Sequence, residues 1–327
     1  MTSIKRIALI SAALFVAGMV CNVSASAQAT RTWVSGTGDD NNPCSRTLPC
    51  KSFGNTIAKT AAGGEINCLD PGGFGAVTIT KSISIICDDV FGNVMVMGTN
   101  GIIINVPAGS YVTLSGFSLD GLGNSGNPGM HGIYIFQGGN ISLRNMTITG
   151  FREGYGVNFV PTATSKLTMS NVTLTENGTT DFTTTGGVLV RPAAGITATM
   201  TINNSRLQNN DNIAVRLDTV GIVGSAINAT IDSSVVSGNT NGVLAKSSPS
   251  SGVIKLMINR TLFDDNSGVG LISNGSASNV RISNSVISNN GTGVSLLSSA
   301  NLTSYGNNVF DGNTTDGGFT ATSLRTE

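Results

Sequence analysis

The sequence predicts an all-β chain wound as a parallel β-helix, with a short helix closing its N-terminal end. Three observations carry this. Short strands recur as Gly101-Ile-Ile-Ile, Gly132-Ile-Tyr-Ile, Gly156-Val-Asn-Phe, Gly187-Val-Leu-Val, Gly242-Val-Leu-Ala and Gly293-Val-Ser-Leu. Ala214-Val-Arg-Leu and Gly268-Val-Gly-Leu fit the same slot, and the starts lie 31, 24, 31, 27, 28, 26 and 25 residues apart. A second strand family follows each, carrying Asn145, Asn171, Asn204, Asp232, Asn259 and Asn284 in one expected register. A repeat of this length with two or three short strands is too short for a propeller blade and fits one solenoid coil, stacked at about 4.8 Å on the last. Third, residues 52–62 form an amphipathic helix just before the first coil, where a solenoid must cover its open core.

The elements follow in chain order. Residues 1–29 read as a secretory leader: Lys5 and Arg6, the apolar run Ile7–Val20, then Ala25-Ser-Ala and Ala27-Gln-Ala as cleavage patterns, with cleavage expected after Ala29 and Ala27 second. The run is too short to span a bilayer, and no later stretch approaches membrane length. Val20 before Cys21 is a poor lipoprotein signal. The mature chain is therefore expected to be secreted or periplasmic, with no membrane span. Four cysteines remain, Cys44, Cys50, Cys68 and Cys87, and an even count in an exported chain reads as disulfides. Three pairings are possible; the short loop around Pro49 and the one-coil spacing from Cys68 to Cys87 favour Cys44–Cys50 with Cys68–Cys87. Residues 30–64 make an N-terminal cap, whose helix places Phe53, Ile57, Ala58 and Ala61 on one face and ends at Gly63-Gly64. Residues 65–327 make the β-helix.

Composition narrows the function. Lys plus Arg and Asp plus Glu are each 18, so the net charge is zero and no cation surplus exists to neutralise a nucleic acid. Apolar residues are 39%, too many for a charge-driven disordered chain. There is no Cys-x-x-Cys pair, a single histidine, and no glycine-rich loop before a long helix, so neither metal nor cofactor is expected. The 34 asparagines are expected in turns and stacked amide ladders, since Asn tolerates left-handed bends; this register also accounts for the many Asn-x-Ser/Thr triplets.

The capping helix, the strand–turn–strand run after it, and the Gly-[Ile/Val]-x-[Ile/Leu] and Asn-[Ser/Thr]-x-[Ile/Leu] repeats resemble the right-handed parallel β-helix superfamily that contains the pectate lyases. The resemblance covers roughly residues 50–320. Trp33-Val-Ser-Gly-Thr-Gly-Asp-Asp, Asn42-Pro-Cys, Leu48-Pro-Cys-Lys-Ser-Phe and Gly63-Gly-Glu-Ile are similar to a group of uncharacterised bacterial secreted β-helix proteins. The resemblance implies the fold; fold and function separate readily. Lyases of this superfamily use clustered Asp with calcium and an Arg base, and no such pattern stands here. Polygalacturonases use paired Asp with Gly-His-Gly and Arg-Ile-Lys. Here His131, in Met-His-Gly, precedes Asp264-Asp265, and Arg-Ile-Lys is missing. The pairs Asp39-Asp40, Asp88-Asp89 and Asp264-Asp265 read as solvated turns.

One outward face stands out. In the Gly-initiated strands the first and third residues after the start point inward, so the second and fourth point out. This column carries Tyr134, Phe136, Asn158, Val160, Leu189, Arg191, Arg216, Asp218, Leu244 and Lys246. Rings and polar groups on a flat stacked face suit a glycan, and Tyr134 and Arg216 are the expected contacts whose truncation leaves the fold intact. The expected function is a non-catalytic extracellular or periplasmic binding or surface-structural module, for a polysaccharide or cell-surface glycan. A polysaccharide lyase or glycoside hydrolase is the alternative. An autotransporter passenger is disfavoured, because no membrane-barrel segment follows the repeats. Oligomeric state is not legible.

Overall fold

A computed structural model describes residues 28–180 and 184–323. The leader falls outside the described residues except for Gln28 and Ala29. Nine short strands, from Val77–Ile79 to Thr292–Leu297, form one sheet in strict chain order, each parallel to the next (sheet I). The remaining strands form a second, 20-stranded parallel sheet, folded lengthwise. Asn140–Thr149 and Ser165–Thr175 each run through a bend, at Asn145 (φ 51°) and Asn171 (φ 54°). The bend divides that sheet into a face before it, sheet II, and a face after it, sheet III. Each coil thus contributes one strand to each of three faces around a shared core.

The core follows from period-2 alternation. Ile102, Ile133, Val157, Val188, Val215, Val243, Leu271 and Val294 stack in register up the inside of sheet I, and all are buried. β-Branched side chains fit this pleated, crowded column. The residue before most of them is glycine, and at Gly101, Gly132, Gly187, Gly242, Gly270 and Gly293 a Cβ would meet a carbonyl of the next coil; Ala214 carries a Cβ in this slot, and Gly156 instead abuts Leu174 and Asn177. In the seventh repeat that residue is Gly270, since Val243 pairs with Leu271; the expected Gly268 belongs to the preceding turn, where its N–H bonds Thr240 O.

The expected asparagine register also shifts. Asp232 pairs with Asn203 and Asn259 with Asp232, a column one residue before the bend. The left-handed residues of those coils are Ser233 (φ 50°) and Arg260 (φ 46°). What fixes the register is a second column. Five residues after the first bend comes another left-handed residue (Glu176, Asn209, Gly238, Asp265, Asn289), and the next residue is always a buried Asn. Asn177, Asn210, Asn239, Asn266 and Asn290 each donate Nδ2 to the following Oδ1, at 2.8–3.1 Å, with Asn313 ending the run. Each backbone N–H also donates to that next amide oxygen. A buried amide column so satisfied cannot slip by one residue without orphaning its polar groups, whereas Ser or Arg can replace Asn at the exposed bend for a modest backbone cost.

The cap helix, α1, spans Phe53–Lys59 with Ser52 as N-cap. It ends before the expected Ala62, because Thr60 already begins the strand Thr60–Cys68 that pairs with Ala29–Val34. Phe53, Thr56 and Ile57 face the core, while Ala58 is exposed. Phe53 lies 5.1 Å from Phe74 and 5.5 Å from Phe117, between ring centroids, plugging the first coil. Both expected disulfides are present, Cys44–Cys50 and Cys68–Cys87. Disulfides point to an oxidising compartment, and among the described residues no helix is long and apolar enough to cross a membrane.

Candidate functional site

The outer face of sheet I gathers the expected residues into one strip. Tyr134, Asn158, Leu189, Arg216 and Leu244 are consecutive partners in one column. Two residues along the strands lie Phe136, Val160, Arg191, Asp218 and Lys246, with Asp218 paired directly to Lys246. Five coils spaced at about 4.8 Å make a strip about 19 Å long. Tyr134 and Phe136 sit 5.4 Å apart at 36°. Tyr134, Phe136, Arg191, Arg216 and Lys246 are half-buried.

Two residues expected to face solvent do not. Asn158 is 8% exposed and Asp218 is 3% exposed. Their strand phase is outward, but neighbours cover them: His131 and Tyr134 over Asn158, the two arginines over Asp218. The Asp218 carboxylate receives Arg216 Nε at 2.9 Å and Nη2 at 2.6 Å on one oxygen. On the other it receives Arg191 Nη1 and the Val220 N–H, each at 2.9 Å. Arg191 Nη2 reaches on to Val220 O at 3.1 Å. Asp218 is therefore a strut that fixes two guanidinium groups, and the trio carries one net positive charge. Arg216 is consequently part of the framework, contrary to the expectation that its truncation is harmless; removing it strips half the pairing from a buried carboxylate.

Two residues outside the expected strip, His131 and Tyr155, belong to this site. His131 stacks on Tyr155 (6.4 Å, 22°) and lies 5.4 Å from Tyr134. The Tyr155 N–H donates to Nδ1 at 3.0 Å, so Nδ1 presents its lone pair and the neutral ring carries its proton on Nε2. Burial holds the pKa of His131 down to about 4. The side-chain amide of Asn158 lies 2.9 Å from Nε2; with a proton there, the amide oxygen is the matching partner. The other end of that amide and the Tyr155 hydroxyl are buried without protein partners. Burial, with opposing and reinforcing charges from Arg216, Asp218 and Arg191, pushes the Tyr155 pKa up to about 12, so this hydroxyl stays protonated. A sole histidine beside a coil start was the available signal; the pairing with Tyr155 joins adjacent coils, so spacing along the chain conceals it.

The acidic pairs have structural work. Asp40 accepts from Lys51 N, Ser52 N, Ser52 Oγ and Asn55 Nδ2, each at 2.9 Å, and so ties the cap loop to α1. Burial raises its pKa, but these hydrogen bonds outweigh burial and the net shift is downward. Asp88 accepts from Ser115 and Asn145, and Asp264 from Ser288 and Asn289. Among the described residues no three His, Cys, Asp or Glu side chains converge on one point.

No protein-family model matches the chain, and no curated protein matches it. Among solved structures, the crystal structure of pectate lyase Pel9A aligns with a TM-score of 0.64 and 14% identity, over 92% of this chain and 80% of that one. The shared feature is the fold, a parallel β-helix.

Proposed function

We propose that the protein is exported by its N-terminal leader and acts as a non-catalytic glycan-binding module, its ligand lying along the strip from Tyr134 to Lys246. The observation that carries this is the pre-organised strip itself: two adjacent half-exposed rings, then a half-exposed guanidinium held from behind by a buried carboxylate. Rings pack on sugar faces and a fixed guanidinium donates to sugar oxygens without first losing its own freedom. The fold is shared with a polysaccharide-acting enzyme by its name, a pectate lyase, which supports a polysaccharide as the class of ligand. Binding is favoured over the lyase or hydrolase alternative because the acid–base groups of the strip are engaged: Asp218 by two arginines, His131 by Tyr155 and Asn158. The test is a glycan array on the mature protein, followed by an ultraviolet assay for unsaturated products on every hit. Binding lost in Phe136→Ala, with no product formed, is the expected result. Turnover of a hit, or binding indifferent to Phe136→Ala and Lys246→Ala together, would overturn the reading.

A further inference from the structure

The two faces away from the candidate site carry opposite charge. On sheet II the exposed ionic side chains without an acidic partner are Arg144, Lys166, Lys255 and Arg281. The acidic residues of that face, Glu65 and Asp232, are paired to Arg31 at 2.8 Å and to Arg260 at 2.6 Å. Among the described residues, sheet III and the bend after it carry Asp120, Glu176, Asp264, Asp265 and Asp311 against the cation Arg206. Alongside these acids runs an apolar column, Val235, Leu262, Val286 and Val309, in direct register. It is uncovered at its end, where Val286 is 38% and Val309 56% exposed. Sheet II offers apolar contacts of its own beside Lys255, namely Val253 and the half-buried Met257.

We propose that copies of this chain associate side by side, the cationic sheet II of one against the acidic, valine-lined sheet III of the next. The charge spacings match. Asp264 and Asp311 stand two coils apart in one column, about 10 Å. Lys255 and Arg281 stand one coil and two residues apart, about 8 Å on the diagonal. The narrower face sets the contact: the sheet III strands that carry the acids are three residues long, about 10 Å, so eight coils overlap over about 340 Å² per partner, the size of a weak, charge-guided association. Without Lys5 and Arg6 the mature chain carries a formal charge of −2, too small for overall repulsion to oppose the contact. The two surfaces differ, so the contact is heterologous and propagates as a row, or closes as a ring, rather than stopping at a dimer. Sheet I stays free, so this association is independent of the glycan reading.

Sedimentation velocity on the mature protein at about 20 mM and about 500 mM salt tests it, because screening removes a charge-guided contact at the higher value. The expected result is concentration-dependent association at low salt and monomer at high salt. Lys255→Glu/Arg281→Glu brings the unpaired charge of sheet II to zero and Asp264→Lys/Asp311→Lys brings that of sheet III to zero, each reversing the sign of the contact pair itself. Each alone should be monomeric with unchanged circular dichroism, and a mixture of the two should associate again. A wild-type protein that stays monomeric at low salt overturns the proposal, as does association that survives either charge reversal or a mixture that fails to recover it. Monomeric protein retained on a polyanion resin through Lys255 and Arg281 would assign sheet II to an anionic polymer instead.

Discussion

His131 shows how much a single side chain depends on its cover. In the unfolded chain the ring protonates near 6.5, in the folded one only near 4, because burial disfavours the charged ring. Between those values the unfolded state binds more protons, so this residue's contribution is fully present above pH 6.5 and is lost as pH falls towards 4. The loss amounts to about 3 kcal/mol. As the chain has one histidine, its ring resonances titrate alone: the expected midpoint by NMR is near 4. Denaturant unfolding of His131→Gln should lose less stability between pH 7 and pH 4 than the wild type does. Tyr134→Ala, which uncovers the ring, should move the midpoint upward towards its ordinary value. A midpoint unmoved by that change would show that Tyr134 is not the cover. Arg216→Ala belongs to the same scale: leaving Asp218 buried with one arginine should cost about 3 kcal/mol, read as a lower unfolding midpoint.

At the scale of the element, the two asparagine columns do unequal work. Asn239 donates to Leu207 O and Asn266 Oδ1, and its own oxygen receives Asn210 N and Nδ2. Asn239→Ala deletes these together inside a buried column, and a loss of about 3 kcal/mol in urea unfolding is expected. Asn204 lies at the exposed bend with φ 46°, where the change to Ala costs only the left-handed backbone preference, about 1 kcal/mol. Equal losses from the two variants would contradict the assignment of the register to the buried column. The Cys68–Cys87 bridge closes a loop with a sequence separation of 19, and restricting such a loop in the unfolded chain is worth about 3 kcal/mol. The oxidised protein should show no alkylatable thiol in its mature chain while folded, and Cys68→Ser/Cys87→Ser should lower the unfolding free energy by about 3 kcal/mol.

At the scale of the molecule, coils contact mainly the coils before and after them, so stability is a sum over neighbouring interfaces and the ends are decisive. The N-terminal end is closed by α1 through Phe53. Phe53→Ala should cost about 3–5 kcal/mol. Hydrogen exchange should then show protection falling first in the strands Val77–Ile79 and Ile83–Ile86, with sheet I from Ile133 onward unaffected. Uniform loss of protection along the whole chain would mean that the solenoid melts as one unit and that the cap is not where opening starts.

The coil is legible along the chain. Alternation in Gly132-Ile-Tyr-Ile, the recurring bend residues and the placement of a helix before the first coil are local properties, each enforced by a period of two or by a single backbone angle. They sufficed for the fold, the inward phase of sheet I and both disulfide pairs. The tertiary structure alone decided register and cover. Whether Asp232 or Ser233 sits at the bend depends on the amide six or seven residues later that must meet its neighbours above and below. Whether Asn158 and Asp218 reach solvent depends on side chains one coil away, His131 and Arg191, together with Arg216 in the strand of Asp218 itself. Stacking brings residues some 25 to 30 positions apart within hydrogen-bond reach, and periodicity along the chain carries no information about which of them will meet.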